Sequence, residues 1–238
     1  MVLIQVQLTL SLKYVNSQQT LSRTPSAVKG GIFGVKLGVV ATREGVQVPI
    51  IVTSCIEEVE NRGLGETGLY RVSGLSGQIQ SLKKAYERNS RGAVQLLADT
   101  DIHVVTCLLK LYYRELPEAL FTDHLYPHLV EGISLSDPEL DHCLQSGDVS
   151  ISHSSSQVCV SILTHLVRVS QTAENKMSIN NLSTVFGPTL LKPAAKTQTS
   201  VVSVDLFYEG TRDVMMQTSI LHYFLTLRAK GRDFGIKM

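Results

Sequence analysis

The residues of this chain able to do chemistry are few and mostly cationic. In Gly68-Leu69-Tyr70-Arg71-Val72-Ser73-Gly74 a single arginine stands between apolar neighbours, in a loop bracketed by glycines. Glycine lets a backbone make a tight, closely approached turn. Leu69 and Val72 can anchor such a loop, which leaves Arg71 as the side chain that projects. Taken alone, a loop arginine paired with a nearby carboxylate is the simpler reading. A second group sits on the segment from Asp101 to Glu115, whose circumference is mostly apolar: Ile102, Val104, Val105, Leu108, Leu109, Leu111 and Tyr112. Lys110 and Arg114 are four apart and share one face, with His103 and Cys107 further along the same stripe. Burying charge without partners is costly. Two cations on a core helix therefore either snorkel to solvent or face something anionic. Asn181, in Met177-Ser178-Ile179-Asn180-Asn181-Leu182, adds a neutral donor and acceptor on another helix; by itself it reads as a helix-surface amide.

Other chemistries find little support. Lys+Arg 22 against Asp+Glu 21 leaves a net charge of +1, and no run of basic residues offers the concentrated surface that nucleic acid demands. No GxxxxGK[ST] exists, so the chain has no P-loop of its own. Gly74-Leu75-Ser76-Gly77 has the wrong spacing for a nucleophile elbow, and no parallel strand precedes it. His142, Cys143 and His153 read better as polar loop residues than as metal ligands. Cys55, Cys107, Cys143 and Cys159 are far apart with no CxxC pair, the pattern of buried, reduced thiols. There is no secretory signal, and no stretch of 18 apolar residues. The expected location is the cytoplasm.

These residues need a scaffold. With 238 residues and 43% hydrophobic content, the chain can bury a core. Residues 2–15 alternate strictly, Val2, Ile4, Val6, Leu8, Leu10 and Leu12 against Gln5, Gln7, Thr9 and Ser11. That period of two is a half-buried strand, which cannot stand alone and reads as the remnant of a β-domain. Residues 16–29 are polar and read as a linker, and residues 30–37 enter a new unit, extended at first. From Pro49 the spacing becomes helical: Val48, Ile51, Val52, Cys55, Ile56 and Val59 up to Gly63. Further helices are expected over 79–89, over 101–115 with a cap at Asp99 or Thr100, and over 122–132. Three more are expected over 158–170, 178–186 (stopped by Gly187-Pro188) and 207–227. Seven or so helices and no strand after residue 40 make an all-α domain.

Three motifs, in order, carry a resemblance. They are Gly68 to Gly74; Leu109-Lys110-Leu111-Tyr112-Tyr113-Arg114-Glu115-Leu116-Pro117; and Asn175-Lys176-Met177 with Asn181-Leu182 and Val185-Phe186-Gly187-Pro188-Thr189-Leu190. Together they resemble the GTPase-activating domain for Rho-family GTPases, the RhoGAP domain, over about residues 33–228. Gly31-Ile32-Phe33-Gly34-Val35-Lys36 and Leu120-Phe121-Thr122-Asp123 with Ile133 to Pro138 add a finer likeness. It is to members of the family in which a membrane-binding β-sandwich precedes this domain; the strand at residues 2–15 is similar to its last strand. The resemblance implies residues 1–30 as strand remnant plus linker and 31–238 as the GTPase-activating domain. It implies Arg71 as an arginine finger, Lys110 at the GTPase interface, Arg114 hydrogen-bonding to hold the finger loop, and Asn181 contacting the GTPase switch region. The implied partner is a GTP-bound, Rac-type or related Rho-family small GTPase, whose own site holds the GTP and magnesium. The chain then needs no cofactor and is a regulator rather than an enzyme. Peripheral contact with the plasma membrane or cell projections would come through the missing upstream domain.

The sequence departs from the family pattern at Ala119, in place of a proline, at Ser183, in place of a small apolar residue, and most of all at 145–157. That stretch, QSGDVSISHSSSQ, holds six serines where the family has a leucine-rich core segment. Serine and glycine favour loops, so the following helix is expected to begin near Val158, about two turns short. This departure keeps a second function open, a non-catalytic module that binds a Rho-family GTPase.

Overall fold

The fold is organised around one largely buried helix. The computed structural model describes residues 30–133, 153–192 and 205–232. The expected strand at 2–15, the linker at 16–29, His142, Cys143 and the first part of the 145–157 stretch lie outside the described residues. Nine α-helices and no strand occur among those described: α1 Leu37–Glu44, α2 Ile50–Arg62, α3 Ser76–Arg88, α4 Ser90–Ala93, α5 Ile102–Glu115, α6 Tyr126–Ile133, α7 His153–Gln171, α8 Ile179–Leu190 and α9 Asp205–Ala229. The all-α expectation holds.

Helix α5 buries Ile102, Val104, Val105, Thr106, Leu108, Leu109, Tyr112 and Tyr113, and a helix apolar on so much of its surface must be covered on several sides. It packs against α2, α3 and α8. Asp101, one position inside the expected cap, starts it: Oδ1 accepts from the His103 and Val104 N–H groups at 2.8 and 3.3 Å. Thr100 instead donates its hydroxyl to the Leu96 carbonyl at 2.6 Å. Around this centre α7 packs on α1, α2, α8 and α9, while α9 lies along α8. Gly187 sets how closely α8 and α9 approach. A Cβ there would fall 2.9 Å from the backbone of Gln217, so any larger residue pushes the helices apart.

The short α4 has no counterpart among the expected helices and α6 begins four residues late; three further elements differ from expectation. Helix α1 begins at Leu37, the last residue of the segment expected to be extended, and runs on through residues to which no element was assigned; Leu37, Val40 and Ala41 are its buried face, but neighbouring glycines and Val39-Val40 hide that spacing. Gly45 closes it with φ +71°, and the Glu44 carboxylate accepts the Ile50 N–H at 2.8 Å. That acid satisfies an orphan donor at the start of α2, where Pro49 offers no side-chain cap. Helix α7 begins at His153, five residues before Val158. Serine is favourable at a helix start, Ser156 is small enough to be buried, and Val158, Cys159, Ile162 and Leu163 hold the turn in the core. Helix α8 runs past Gly187-Pro188 to Leu190. Pro188 removes one backbone bond, but Leu191 N–H still reaches the Gly187 carbonyl at 3.0 Å, and the Leu190 carbonyl accepts from Phe121 N–H at 3.2 Å. Ser183 is fully buried, its hydroxyl spent on the Ile179 carbonyl at 2.8 Å. Ala119 is buried as well.

Candidate functional site: the Arg71 loop

Residues 68–74 lie in the connection between α2 and α3. Their backbone is held at three points by buried or half-buried groups from distant elements. Gly68 N–H donates to the Asn175 carbonyl at 2.8 Å. The Tyr70 carbonyl accepts from Lys110 Nζ on α5. Gly74 N–H donates to Cys107 Sγ, one turn before Lys110, at 3.4 Å. A Cβ on Gly74 would lie 2.6 Å from the Val104 backbone nitrogen, so the loop lies directly against α5 there. Arg71 and Val72 N–H groups both return to the Gly68 carbonyl at 2.8 Å, closing a tight turn in which Gly68 and Tyr70 have φ +73° and +67°.

The result is a fixed backbone that presents an exposed guanidinium. Arg71 is exposed. Its guanidinium lies back over Gly68, 3.6 Å from where a Cβ there would sit. Among the described residues no carboxylate pairs with it. Val72 and Leu75 beside it are 43% and 69% exposed, so the cation is rimmed by apolar surface.

Lys110 carries the loop contact. Burial pulls its pKa below the ordinary lysine range; Cys107 opposes the shift and Arg114 adds to it. Arg114, four residues on, is exposed and has no hydrogen bond or ion pair among the described residues. The bond that holds the loop thus comes from Lys110, not from Arg114. Replacing Lys110 by methionine keeps the packed stem and leaves the Tyr70 carbonyl without its charged donor. A hydrogen bond of that kind is worth about 1.5–3 kcal/mol. Lys110→Met should therefore lower the saturated rate of any reaction served by Arg71 by roughly 10- to 100-fold, measured against the parent chain at equal helicity; an unchanged rate would remove Lys110 from the loop's support.

Asn181 sits in the first turn of α8, half-buried, with Nδ2 donating to the Lys176 carbonyl at 3.3 Å. Its backbone N–H is capped by Ser178 Oγ at 3.2 Å. Lys176 is next to Asn175, so Asn181 is tied to the segment that holds Gly68. The structure thus connects the Arg71 loop, the Lys110 stripe and the start of α8 through a short series of bonds.

Sequence reasoning assigned no role to Asn175, which is central. Fully buried, it donates from Nδ2 to the Leu64 and Val169 carbonyls, both at 2.8 Å, and accepts the Met177 N–H on Oδ1 at 2.8 Å. One amide therefore joins the end of α2, the end of α7 and the approach to α8, while its own carbonyl anchors Gly68. Its only signal in the sequence was its place in the Asn175-Lys176-Met177 motif.

Comparison with known proteins gives a consistent result. The RhoGAP domain family matches residues 49–195. The chain is 41% identical over 230 residues to the human breakpoint cluster region protein, covering 94% of this chain and 18% of that protein. It is 43% identical over 225 residues to the active breakpoint cluster region-related protein of Xenopus tropicalis, covering 92% of this chain and 26% of that protein. The chain thus spans about a fifth to a quarter of the length of these relatives. Among solved structures it is similar to human Rho GTPase activating protein 15, with TM-score 0.71 and 31% identity over 92% of this chain and 99% of that one. It is also similar to the BH domain from GRAF, the GTPase regulator associated with focal adhesion kinase, with TM-score 0.63 and 26% identity over 76% and 91% of the two chains. The sequence match over most of the chain, the helical fold and the neighbouring structures agree, and the chain belongs to the RhoGAP family.

Proposed function

We propose that the chain accelerates GTP hydrolysis by Rac-type and related Rho-family small GTPases in their GTP-bound state by placing Arg71 in the partner's active site. The observation that supports this most is the Arg71 loop itself: an exposed guanidinium, unpaired among the described residues, on a backbone fixed by Asn175, Lys110 and Cys107. A phosphoryl transfer develops charge on the transferring group and leaves little covalent chemistry for the protein, so a preorganised cation is the contribution a second protein can make. The guanidinium fork can bond two oxygens at once, and the loop costs little reorganisation because its backbone is already set. Arg71 then stabilises the transition state more than the ground state. Lys110 supports the loop from below, and Arg114 and Asn181 offer polar groups to the partner surface beside it. GTP and magnesium belong to the partner, and the chain acts as a regulator in the cytoplasm.

The test is single-turnover GTP hydrolysis by a Rac-type GTPase, and by other Rho-family members, with and without the chain. The expected result is an acceleration of roughly 10³-fold or more at saturation, the general size of an arginine-finger effect. A flat rate with every member overturns the proposal. A flat rate with retained binding of the GTP-loaded form would identify a non-catalytic binding module instead.

A further inference from the structure

Tyr70, the residue that delivers Arg71, has φ +67° although it is neither glycine nor asparagine. An aromatic residue in the left-handed region is an outlier, and such a conformation persists only where its surroundings over-determine it. The surroundings here are polar as well as packed. The Tyr70 ring is fully buried, with its centroid 4.9 Å from Phe186 and 5.7 Å from His165. Its hydroxyl lies 2.6 Å from His165 Nε2 on α7. His165, itself 1% exposed, places Nδ1 2.9 Å from Glu60 Oε1 on α2, and the other Glu60 oxygen accepts from Arg168 at 2.5 Å.

The direction of this column follows from donor and acceptor inventory. A carboxylate only accepts, so the His165 proton sits on Nδ1 and faces Glu60; Nε2 is then an acceptor for the Tyr70 O–H. Burial holds His165 below the usual imidazole range and Tyr70 well above the usual phenol range, and the His165 hydrogen bond holds Glu60 below the usual carboxylate range. Neutral tyrosine, neutral histidine and ionised glutamate are the states that assignment requires.

We propose that Tyr70, His165 and Glu60 are positioning residues: a buried hydrogen-bonded column that locks the left-handed turn at Tyr70 and thereby aims Arg71. The inference rests on the reading of Arg71 as the group delivered to a GTPase. The Lys110 contact fixes the Tyr70 carbonyl from α5, and the column fixes its side chain from α2 and α7. With both ends held, the direction in which the chain enters Arg71 has no freedom left. Losing the hydroxyl alone strands His165 Nε2 without a donor in a dry site, which favours moving the ring and the turn rather than leaving the group unpaired.

The test compares Tyr70→Phe, Glu60→Gln and Glu60→Leu in the full chain by three readouts. In single turnover with a saturating amount of chain and a GTP-loaded Rac-type GTPase, Tyr70→Phe and Glu60→Leu should fall about tenfold in rate, while affinity for the GTP-loaded form stays within about threefold. Glu60→Gln keeps an oxygen acceptor for Nδ1–H and should stay within about threefold of the parent rate. In amide hydrogen exchange without any partner, the Arg71 and Val72 N–H groups should exchange about tenfold faster in Tyr70→Phe, with α5 and α8 unchanged. Unchanged rate and unchanged exchange overturn the proposal, as does exchange that rises evenly through the chain, which would make the column a stabilising contact only. If the parent chain accelerates no GTPase, the proposed function fails, and the exchange measurement alone decides whether the column holds the loop.

Discussion

Arg71→Ala should remove nearly all acceleration of GTP hydrolysis, a loss of roughly 10³-fold or more, while melting temperature and helical content stay at parental values. The two halves of this expectation come from the same geometry. The Arg71 side chain is exposed and bonded to nothing among the described residues, so its truncation leaves no buried group unpaired. The loop keeps its shape through backbone groups and through Tyr70, Lys110 and Asn175. Surface truncations of this kind change stability by no more than about 0.5 kcal/mol. Affinity for the GTP-loaded partner should fall much less than the rate, because the lost interaction belongs chiefly to the transition state. Arg71→Lys is the sharper variant: it restores charge at almost the same reach but has no planar fork, and should recover less than about tenfold of the loss. Full activity in Arg71→Lys would reduce the role of Arg71 to simple charge, and full activity in Arg71→Ala would transfer the chemistry to another group.

What the sequence made legible follows from which interactions are local. Helix α5 was readable because its burial is written in consecutive residues, and Lys110 and Arg114 could be placed on one stripe from spacing alone. Arg71 stood out because its immediate neighbours are apolar and glycines bracket its loop. Helix α1 escaped because Gly34, Gly38 and Gly45 in and around it signal a turn more strongly than its three buried residues signal a helix. The early start of α7 escaped because serine is ambiguous: the same residue that favours loops also favours a first helical turn, and the choice is made by the core beneath Val158 and Ile162. The left-handed conformation of Tyr70 left no sequence signal, since glycine is the residue expected there; contacts with Phe186 and His165, more than ninety positions away, impose it. The division of labour between Lys110 and Arg114 was likewise invisible, because both point to the same stripe and differ only in depth.

Asn175→Ala should be the most destabilising single truncation around the site, lowering the melting temperature by about 10 °C or more. The side chain is fully buried and closes three backbone groups: the Leu64 carbonyl, the Val169 carbonyl and the Met177 N–H. Each of these, left unpaired in a dry interior, costs about 1–3 kcal/mol. Together they approach the 5–15 kcal/mol that separates a domain from its unfolded state. Asn175→Asp distinguishes this account from simple loss of volume. Aspartate preserves size and the acceptor for Met177 N–H, but turns the donor toward Leu64 and Val169 into a second acceptor facing two carbonyls, so it should be at least as destabilising as alanine. The effect should also reach function, because the Asn175 carbonyl holds Gly68 N–H at 2.8 Å and any shift of residue 175 moves the base of the Arg71 loop. In variants still folded at assay temperature, the saturated rate should therefore fall while Arg71 is intact. Thermal unfolding of the two variants decides the matter: a melting temperature within a degree or two of the parent for Asn175→Asp would mean that the amide donors do not carry the junction of α2, α7 and α8.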